Sequence, residues 1–170
     1  MNKGYTKGFT LFFALLVSSL ALAIGLAIYD ITIRELQLSE TATQSQYAVY
    51  AADTGAECAL YWEYKYVGNG GSNSAFATSS ADTQVPASGI ICSGQDVAAA
   101  ARAAGTWPQA SGASSATTTF TIAGATAAAP CAVVYVYKSG NPSNTTVVSH
   151  GYNTCTAGPL QLERVFQVTY

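Results

Sequence analysis

The sequence carries little charge: only 9% of its 170 residues are Asp, Glu, Lys or Arg, and the formal net charge is −2. A nucleic-acid interface needs clustered Lys and Arg side chains that neutralise phosphates. Beyond residue 8 the cationic residues are few and widely scattered, at Arg34, Lys65, Arg102, Lys138 and Arg164. The charge distribution therefore predicts no nucleic-acid partner.

The sequence has a single histidine, His150, and no CxxC motif. This scarcity argues against zinc sites and redox motifs, because both need closely spaced Cys or His residues. We expect no metal and no cofactor. The cysteines are even in number and far apart, at Cys58, Cys92, Cys131 and Cys155. Two disulfides formed in an oxidising compartment account for them best, with buried free thiols as the alternative.

The sequence also lacks the patterns of an active site. It contains no GxSxG motif, and although Ser149 precedes His150, adjacent residues of a strand point to opposite faces. Three carboxylates, Asp53, Glu57 and Glu63, share one predicted helix without a nearby histidine. They favour a solvated helix face or a contact with another subunit. We predict that the protein is not an enzyme and has no catalytic residues.

No proline occurs before Pro86, so the first half of the chain lacks the strongest helix breaker. Two lysines, Lys3 and Lys7, precede an uncharged stretch from Gly8 to Tyr29. As a helix this stretch is about 30 Å long, which matches the hydrocarbon core of a bilayer. It predicts a membrane-spanning segment, with a cleaved secretory signal or a plain membrane anchor as the alternatives.

Helix-compatible residues continue after Ile28, where a secretory signal would give way to irregular chain. Spacings of three or four place several side chains near one face of this continuation, namely Tyr47, Ala51, Thr54, Cys58 and Trp62. The pattern predicts one long helix from Phe9 to about Tyr66, whose second half lies against a globular domain. At least two of the nearby aromatic side chains are expected to pack between this helix and a sheet, from the set Tyr61, Trp62, Tyr64 and Tyr66.

The second half of the chain alternates β-branched and aromatic residues with turn formers. The segments CAVVYVYKS and TTVVSHGYN flank GNPSN and predict a β-hairpin, and LERVFQVTY predicts a closing strand. GIICSG and TFTIA predict further strands. DVAAAARAAG predicts either a short helix or a loop. The residues 68–88, which are rich in Gly, Ser and Ala, predict an exposed loop. The predicted fold class is α+β, a long N-terminal helix packed against a small antiparallel β-sheet.

The hairpin also bears on the disulfide pairing. Cys131 and Cys155 are equidistant from Ser143 near its centre, so an antiparallel register would bring them opposite one another. Cys58 would then pair with Cys92 and tie the helix to the first strand. Four cysteines allow three connectivities, of which this one is favoured.

The first 65 residues resemble type IV pilins and type II secretion pseudopilins. The resemblance lies in a short basic leader ending in glycine, a phenylalanine, a hydrophobic helix and an amphipathic continuation, and KGFTL is similar to the processing site of the family. The stretch LQLSETATQSQYAVYAADTGAECAL resembles PilX-type minor pilins. The resemblance implies that a prepilin peptidase cleaves between Gly8 and Phe9 and methylates the new amino terminus at Phe9.

The same resemblance implies an organisation and a location. Residues 1–8 would be the leader, 9–28 the transmembrane and filament-core half of the helix, 29–66 its amphipathic half, and 67–170 an extracellular β-sheet domain. The subunit would be stored as a single-pass protein in the bacterial cytoplasmic (inner) membrane, with its C-terminal domain outside, before joining an extracellular pilus or secretion filament. Its partners would be membrane lipid, the prepilin peptidase, the inner-membrane assembly platform and other pilin subunits.

One residue departs from the family pattern. Phe13 stands at the fifth mature position, where the family usually carries a glutamate that is thought to pair with the amino terminus of the preceding subunit. A subunit without a predecessor needs no such carboxylate, which favours a tip or initiating position; simple divergence is the alternative. Other functional alternatives are an adhesin or receptor surface formed by Gly68–Ser88 and Ala103–Thr118, a membrane-anchored extracellular enzyme, and a DNA-uptake receptor.

Overall fold

The computed structural model describes residues 6–66, 74–79, 85–86, 88–107, 109–139 and 144–170. The chain divides into two compact units, residues 1–42 and 43–170. The described ranges contain the helices α1 (Thr6–Lys65) and α2 (Val97–Ala103) and the strands β1 (Ile91–Cys92), β2 (Gln95–Asp96), β3 (Gln109–Gly112), β4 (Ser115–Ile122), β5 (Cys131–Ser139), β6 (Asn144–Tyr152) and β7 (Glu163–Thr169).

In its described residues the first unit is helical throughout and belongs to α1. Every side chain from Phe9 to Ala42 is exposed, and large apolar side chains occur on all sides of the helix. The hydroxyls of Ser18 and Ser19 donate hydrogen bonds of 2.8 and 2.9 Å to carbonyls three or four residues earlier, which satisfies their polarity within the helix. This apolar helix is long enough to span a membrane.

The second unit combines the remainder of α1 with a five-stranded antiparallel sheet in the order β3-β4-β5-β6-β7 and a two-stranded sheet of β1 and β2. Each strand of the larger sheet pairs with the next strand along the chain. One face of this sheet, here called the inner face, carries buried side chains such as Val134, Val136 and Val147, against which α1 packs. The opposite face is the outer face. The predicted α+β fold is confirmed.

The strand predictions hold in most details. β5 and β6 form the expected hairpin, β4 ends within the TFTIA segment, β1 lies in GIICSG, and β7 closes the sheet. The hairpin register pairs Ser139 with Asn144 and Cys131 with Tyr152. The centre of the hairpin therefore falls before Ser143, and the register does not place Cys131 opposite Cys155, contrary to the prediction.

The sequence left open whether residues 96–105 form a short helix or a loop, and the structure has the helix α2 there. Asp96 is the N-cap of α2, where its carboxylate accepts hydrogen bonds from the backbone N–H groups of Gly89 (2.6 Å) and Ala99 (3.0 Å). These N–H donors stabilise the charged form and hold the pKa of Asp96 below its ordinary value. The same carboxylate thus starts the helix and fixes the preceding chain.

The core lies between α1, α2 and the inner face of the sheet. At its centre the rings of Phe76, Trp107 and Phe120 are in contact, with centroids 5.2 to 6.0 Å apart. Phe76 and Val85 belong to the segment that was predicted to be an exposed loop, and both are buried. The described part of the segment is a loop, as predicted, but the predicted exposure is wrong for it, because its two large apolar side chains are buried.

Candidate functional site

The apolar stretch of α1 is the first candidate site. Phe9, Phe12 and Phe13 have exposed fractions of 72%, 64% and 59%, and their apolar neighbours are similarly open. A continuous exposed apolar surface of this kind marks a contact with a membrane or with another protein. The expected cleavage position between Gly8 and Phe9 lies in the first turn of α1, which begins at Thr6. Processing and methylation there stay predictions.

The last third of α1 is attached to the sheet through residues that have no side chain or only a methyl group. Gly151 in β6 lies against the backbone of Ala48 and Ala52, where a Cβ at position 151 would overlap the Ala48 carbonyl oxygen and the Ala52 nitrogen. Gly55 in α1 faces β6 from the other side, where a Cβ at position 55 would overlap the side-chain hydroxyl of Ser149. We call this contact the glycine seam. Two backbones can approach this closely only where glycine stands.

The buried face of α1 is only partly the one predicted: Cys58 and Trp62 pack against the core, whereas Tyr47 and Thr54 do not. The expected face began at Tyr47, yet Tyr47 is 48% exposed and Thr54 is also exposed. The side chains turned toward the sheet are small and almost fully buried, at Ala48, Ala52, Ala56 and Ala59. Small side chains give the closest packing of a helix on a sheet, which leaves the larger tyrosines at the margin of the contact.

The aromatic prediction near the end of α1 is confirmed for two residues. Trp62 and Tyr66 pack against the core, and the Trp62 Nε1–H donates a 3.1 Å hydrogen bond to the carbonyl of Ile91. Tyr61 and Tyr64, in contrast, are mostly exposed. Tyr64 stacks on Tyr170 with their ring centroids 5.6 Å apart.

A buried ion pair joins the end of α1 to the end of β5. Glu63 was expected on a solvated face, but only 8% of it is exposed, and Lys138 is 3% exposed. The Lys138 Nζ lies 2.5 Å from the Glu63 Oε1, and the hydroxyl of Ser74 donates to the Glu63 Oε2. Both carboxylate oxygens therefore have donors, which offsets the penalty of burying the charge. Burial, together with the nearby Glu63 charge, raises the pKa of Tyr170.

Two disulfides link the four cysteines. Cys58 of α1 is joined to Cys92 of β1, with 5.9 Å between their Cα atoms, and Cys131 is joined to Cys155, with 5.6 Å between theirs. These are the two pairs that the sequence favoured. Cys155 reaches Cys131 because the chain turns after β6, where its N–H donates a 3.2 Å hydrogen bond to the Ala129 carbonyl.

The other residues that the sequence suggested as candidates for a functional site do not lie together. Ser149 lies on the inner face and is fully buried, whereas His150 lies on the outer face and contacts Glu163 through its Nδ1. The Tyr152 hydroxyl donates to the same carboxylate at 3.3 Å, and burial, followed by the Glu163 charge, raises the pKa of Tyr152. Asp53 and Glu57 belong to a different element, α1, and both are exposed.

One open cleft of about 280 Å³ lies beside the glycine seam in the second unit. Its walls are mainly apolar and are formed by α1, the connection between β4 and β5, and Cys131. The lining residues that bear hydroxyl groups are Tyr47, Tyr50, Thr54 and Ser93. The cleft carries no carboxylate or cation in its lining. Acid–base chemistry has no obvious residue there.

Comparisons with protein-family models, with curated proteins and with solved structures find no match to this chain. Its function is therefore inferred from its own residues.

Proposed function

We propose that the chain is a type IV pilin-like subunit, a minor pilin or pseudopilin, which is stored in a membrane and then assembled into a filament through α1. One observation carries this proposal: α1 is a single continuous helix whose first part is apolar on all sides and unburied, and whose last third is part of a folded domain. A helix of this kind needs an apolar environment at one end and an aqueous one at the other.

The apolar part of α1 has two successive environments in this proposal. Fully covering one large apolar side chain stabilises a protein by about 1.5 to 3 kcal/mol relative to leaving it in water. Lipid covers residues 9–29 before assembly, and the helices of sister subunits cover them afterwards. The first charged residues, Asp30 and Arg34, lie just beyond this stretch and form an exposed ion pair with a 3.1 Å contact.

A disulfide in the second unit supports a location of this unit outside the cytoplasm. A disulfide between Cys58 and Cys92 forms where conditions are oxidising, which is outside the cytoplasm. The lysines of the leader, Lys3 and Lys7, favour a cytoplasmic N-terminus. The disulfide and the lysines both support a single membrane span, with the N-terminus in the cytoplasm and residues 43–170 outside. Removal of the leader at Gly8 would free the helix from its basic anchor and keep its apolar surface.

Cleavage by an ordinary signal peptidase fits the structure of α1 less well. A cut after Ile28 would remove the apolar stretch and leave a new terminus within an uninterrupted helix. The absence of a carboxylate at Phe13 favours a tip or initiating position, where no preceding amino terminus has to be neutralised.

The experiment is mass spectrometry of the mature N-terminus after expression of the full chain with and without a prepilin peptidase. We expect a species that begins at Phe9 and carries one added methyl group, only when the peptidase is present. Substitution of Gly8 should abolish cleavage, whereas the matched variant Gly4→Ala, within the leader but away from the cut, should be processed normally. A mature terminus downstream of Ile28 would contradict the proposal.

A further inference from the structure

The two disulfides join the cysteines in the order in which they occur along the chain. Cys58 is joined to Cys92 and Cys131 to Cys155, so the closed loops of 34 and 24 residues neither overlap nor enclose one another. In both of the other connectivities that four cysteines allow, Cys58 pairs with the third or the fourth cysteine. Its loop is then longer, and closing it costs more entropy. The connectivity in the structure is therefore the one that can form stepwise from the N-terminal end.

In the folded domain the sulfur atoms are poorly accessible. Cys92 is 2% exposed and Cys131 is 7% exposed, while Cys58 and Cys155 are half-buried. Cys58 also lies in α1, where it packs against the core. Thiol–disulfide exchange joins two proteins through a mixed disulfide, so its rate depends on access to a thiol. Oxidation is therefore fastest before the domain has packed.

The N-terminal helix determines which cysteines leave the cytoplasm first. Lys3 and Lys7 favour a cytoplasmic N-terminus, and α1 is long enough to span a membrane. In this topology, which belongs to the proposed function and on which the inference rests, the residues that follow the span cross first. Cys58 and Cys92 therefore reach the outside before Cys131. A chain that crosses during synthesis lengthens by about 5 to 20 residues per second, so the first two cysteines are alone outside for seconds.

We infer that the chain is a substrate of a thiol–disulfide oxidase that pairs its cysteines two at a time as they emerge, and that it needs no disulfide isomerase. The Cys58 thiolate attacks the disulfide of the oxidase, which gives a mixed disulfide and releases one oxidase thiolate. The Cys92 thiolate then attacks the Cys58 sulfur, and the bond between them forms as the second oxidase thiolate leaves. The chain loses two electrons and two thiol protons, and the oxidase gains both and becomes a dithiol. Cys131 and Cys155 react afterwards in the same way.

Pairing guided by the folded hairpin is the rival explanation, because the second pair is held together by local structure. The register of the hairpin pairs Cys131 with Tyr152, and the N–H of Cys155 donates a 3.2 Å hydrogen bond to the carbonyl of Ala129. None of these contacts involves α1. A folded hairpin can therefore bring Cys131 and Cys155 together whether or not the first pair is bonded.

The deciding variant is Cys58→Ser in the full chain, exported in a bacterium that has the oxidase and lacks the isomerase. Free thiols are blocked by alkylation, and the unreduced protein is digested with trypsin. Pairing in order of emergence joins Cys92 to Cys131, the next cysteine to arrive, and links the peptides 66–102 and 103–138. We expect this link in most of the oxidised chains, with loss of the native second pair. The map reads the bonds whether or not the variant folds.

Cys155→Ser is the matched control, because it removes the last cysteine to emerge. The peptides 35–65 and 66–102 should be linked as in the wild-type chain, and Cys131 should be recovered as an alkylated free thiol. A link from Cys131 to either of these peptides as the main product would contradict pairing in order of emergence.

The wild-type chain tests whether an isomerase is needed. Native pairs are counted shortly after a labelling pulse, because disulfide formation and reshuffling take from seconds to hours, depending on the oxidant and the isomerase. We expect the same yield of native pairs with and without the isomerase. Without the oxidase the yield should be at least about tenfold lower.

Three results would overturn the inference. They are a main product of Cys58→Ser that keeps the native second pair, a lower wild-type yield without the isomerase, and an unchanged wild-type yield without the oxidase. Cleavage at Gly8 enters none of these readouts, since a chain that keeps its leader crosses the membrane in the same order. The inference and the processing of the N-terminus can therefore fail independently.

Discussion

Gly151 in β6 and Ala52 in α1 lie so close that no side chain fits at position 151: a Cβ built there would be 2.7 Å from the Ala52 Cβ and closer still to the Ala52 nitrogen. The atoms on the helix side of this contact include backbone, which cannot rotate away as a flexible side chain can. The glycine seam therefore fixes the distance between α1 and the sheet.

Gly151→Ala should be strongly destabilising for this reason. Overpacking of a filled interior typically lowers the free energy of unfolding by about 1 to 3 kcal/mol, and a clash with backbone belongs at the upper end. The measurement is urea unfolding of the full chain in micelles. Gly158→Ala is the control, because a Cβ there meets nothing within 4 Å, and it should change stability by less than about 0.5 kcal/mol. Equal stability of the two variants would refute the seam.

Lys138→Met should destabilise the protein by about 3 to 5 kcal/mol, because it leaves the Glu63 carboxylate buried without its cation. The double variant Glu63→Gln with Lys138→Met removes both charges and should recover at least about 1 kcal/mol of that loss. Chemical denaturation of the single and double variants measures the coupling. Simple additivity of the two substitutions would show that the pair is not an interacting unit.

The disulfide pairs can be read directly by tryptic digestion of the unreduced protein. Cleavage after Lys65, Arg102 and Lys138 separates all four cysteines into different peptides, residues 35–65, 66–102, 103–138 and 139–164. We expect the first peptide linked to the second and the third linked to the fourth; any other pairing contradicts the structure. The closed loops span 34 and 24 residues, so removal of either bond should lower stability by about 3 to 4 kcal/mol.

Asp96→Asn should show a pH-dependent effect on the melting temperature. Because the pKa of Asp96 is lowered in the folded state, its charge contributes stability above the unfolded value, and this contribution is lost as the pH falls below 3.8. The wild-type protein should therefore melt a few degrees above the variant at pH 7, and the two should converge in acid. Thermal scans monitored by circular dichroism from pH 2.5 to pH 7 test this. A difference that stays constant over the range would exclude the carboxylate charge as the cause.

The sequence predicts the long helix and the hairpin because both depend on local patterns. The absence of proline before Pro86 leaves α1 uninterrupted, and β-branched residues flank the turn between β5 and β6. The buried partner of Glu63 could not be predicted in this way, since Lys138 is 75 residues away in the chain and the two meet only through tertiary packing.

The sequence contains an indication of the glycine seam, but its meaning was not evident before the structure was known. Gly55 stands within a helix and Gly151 within a strand, two positions where glycine is locally unfavourable. Each glycine marked a close approach to another element, but its partner was not evident from the sequence. The predicted helical face was wrong at Tyr47 and Thr54, because in that part of α1 the contact with the sheet is made by the small residues beside them.

The covalent link at Cys58 also determines how the second unit would respond to traction along α1. A load applied toward the N-terminus shears the contact of Ala48, Ala52 and Gly55 with the sheet, and peeling can progress only as far as Cys58 before the bond to Cys92 bears the tension. The helix beyond that point, with the Glu63 ion pair, is shielded from the force. In an oxidised subunit residues 59–91 therefore cannot be extended, and only the reduced form would release them.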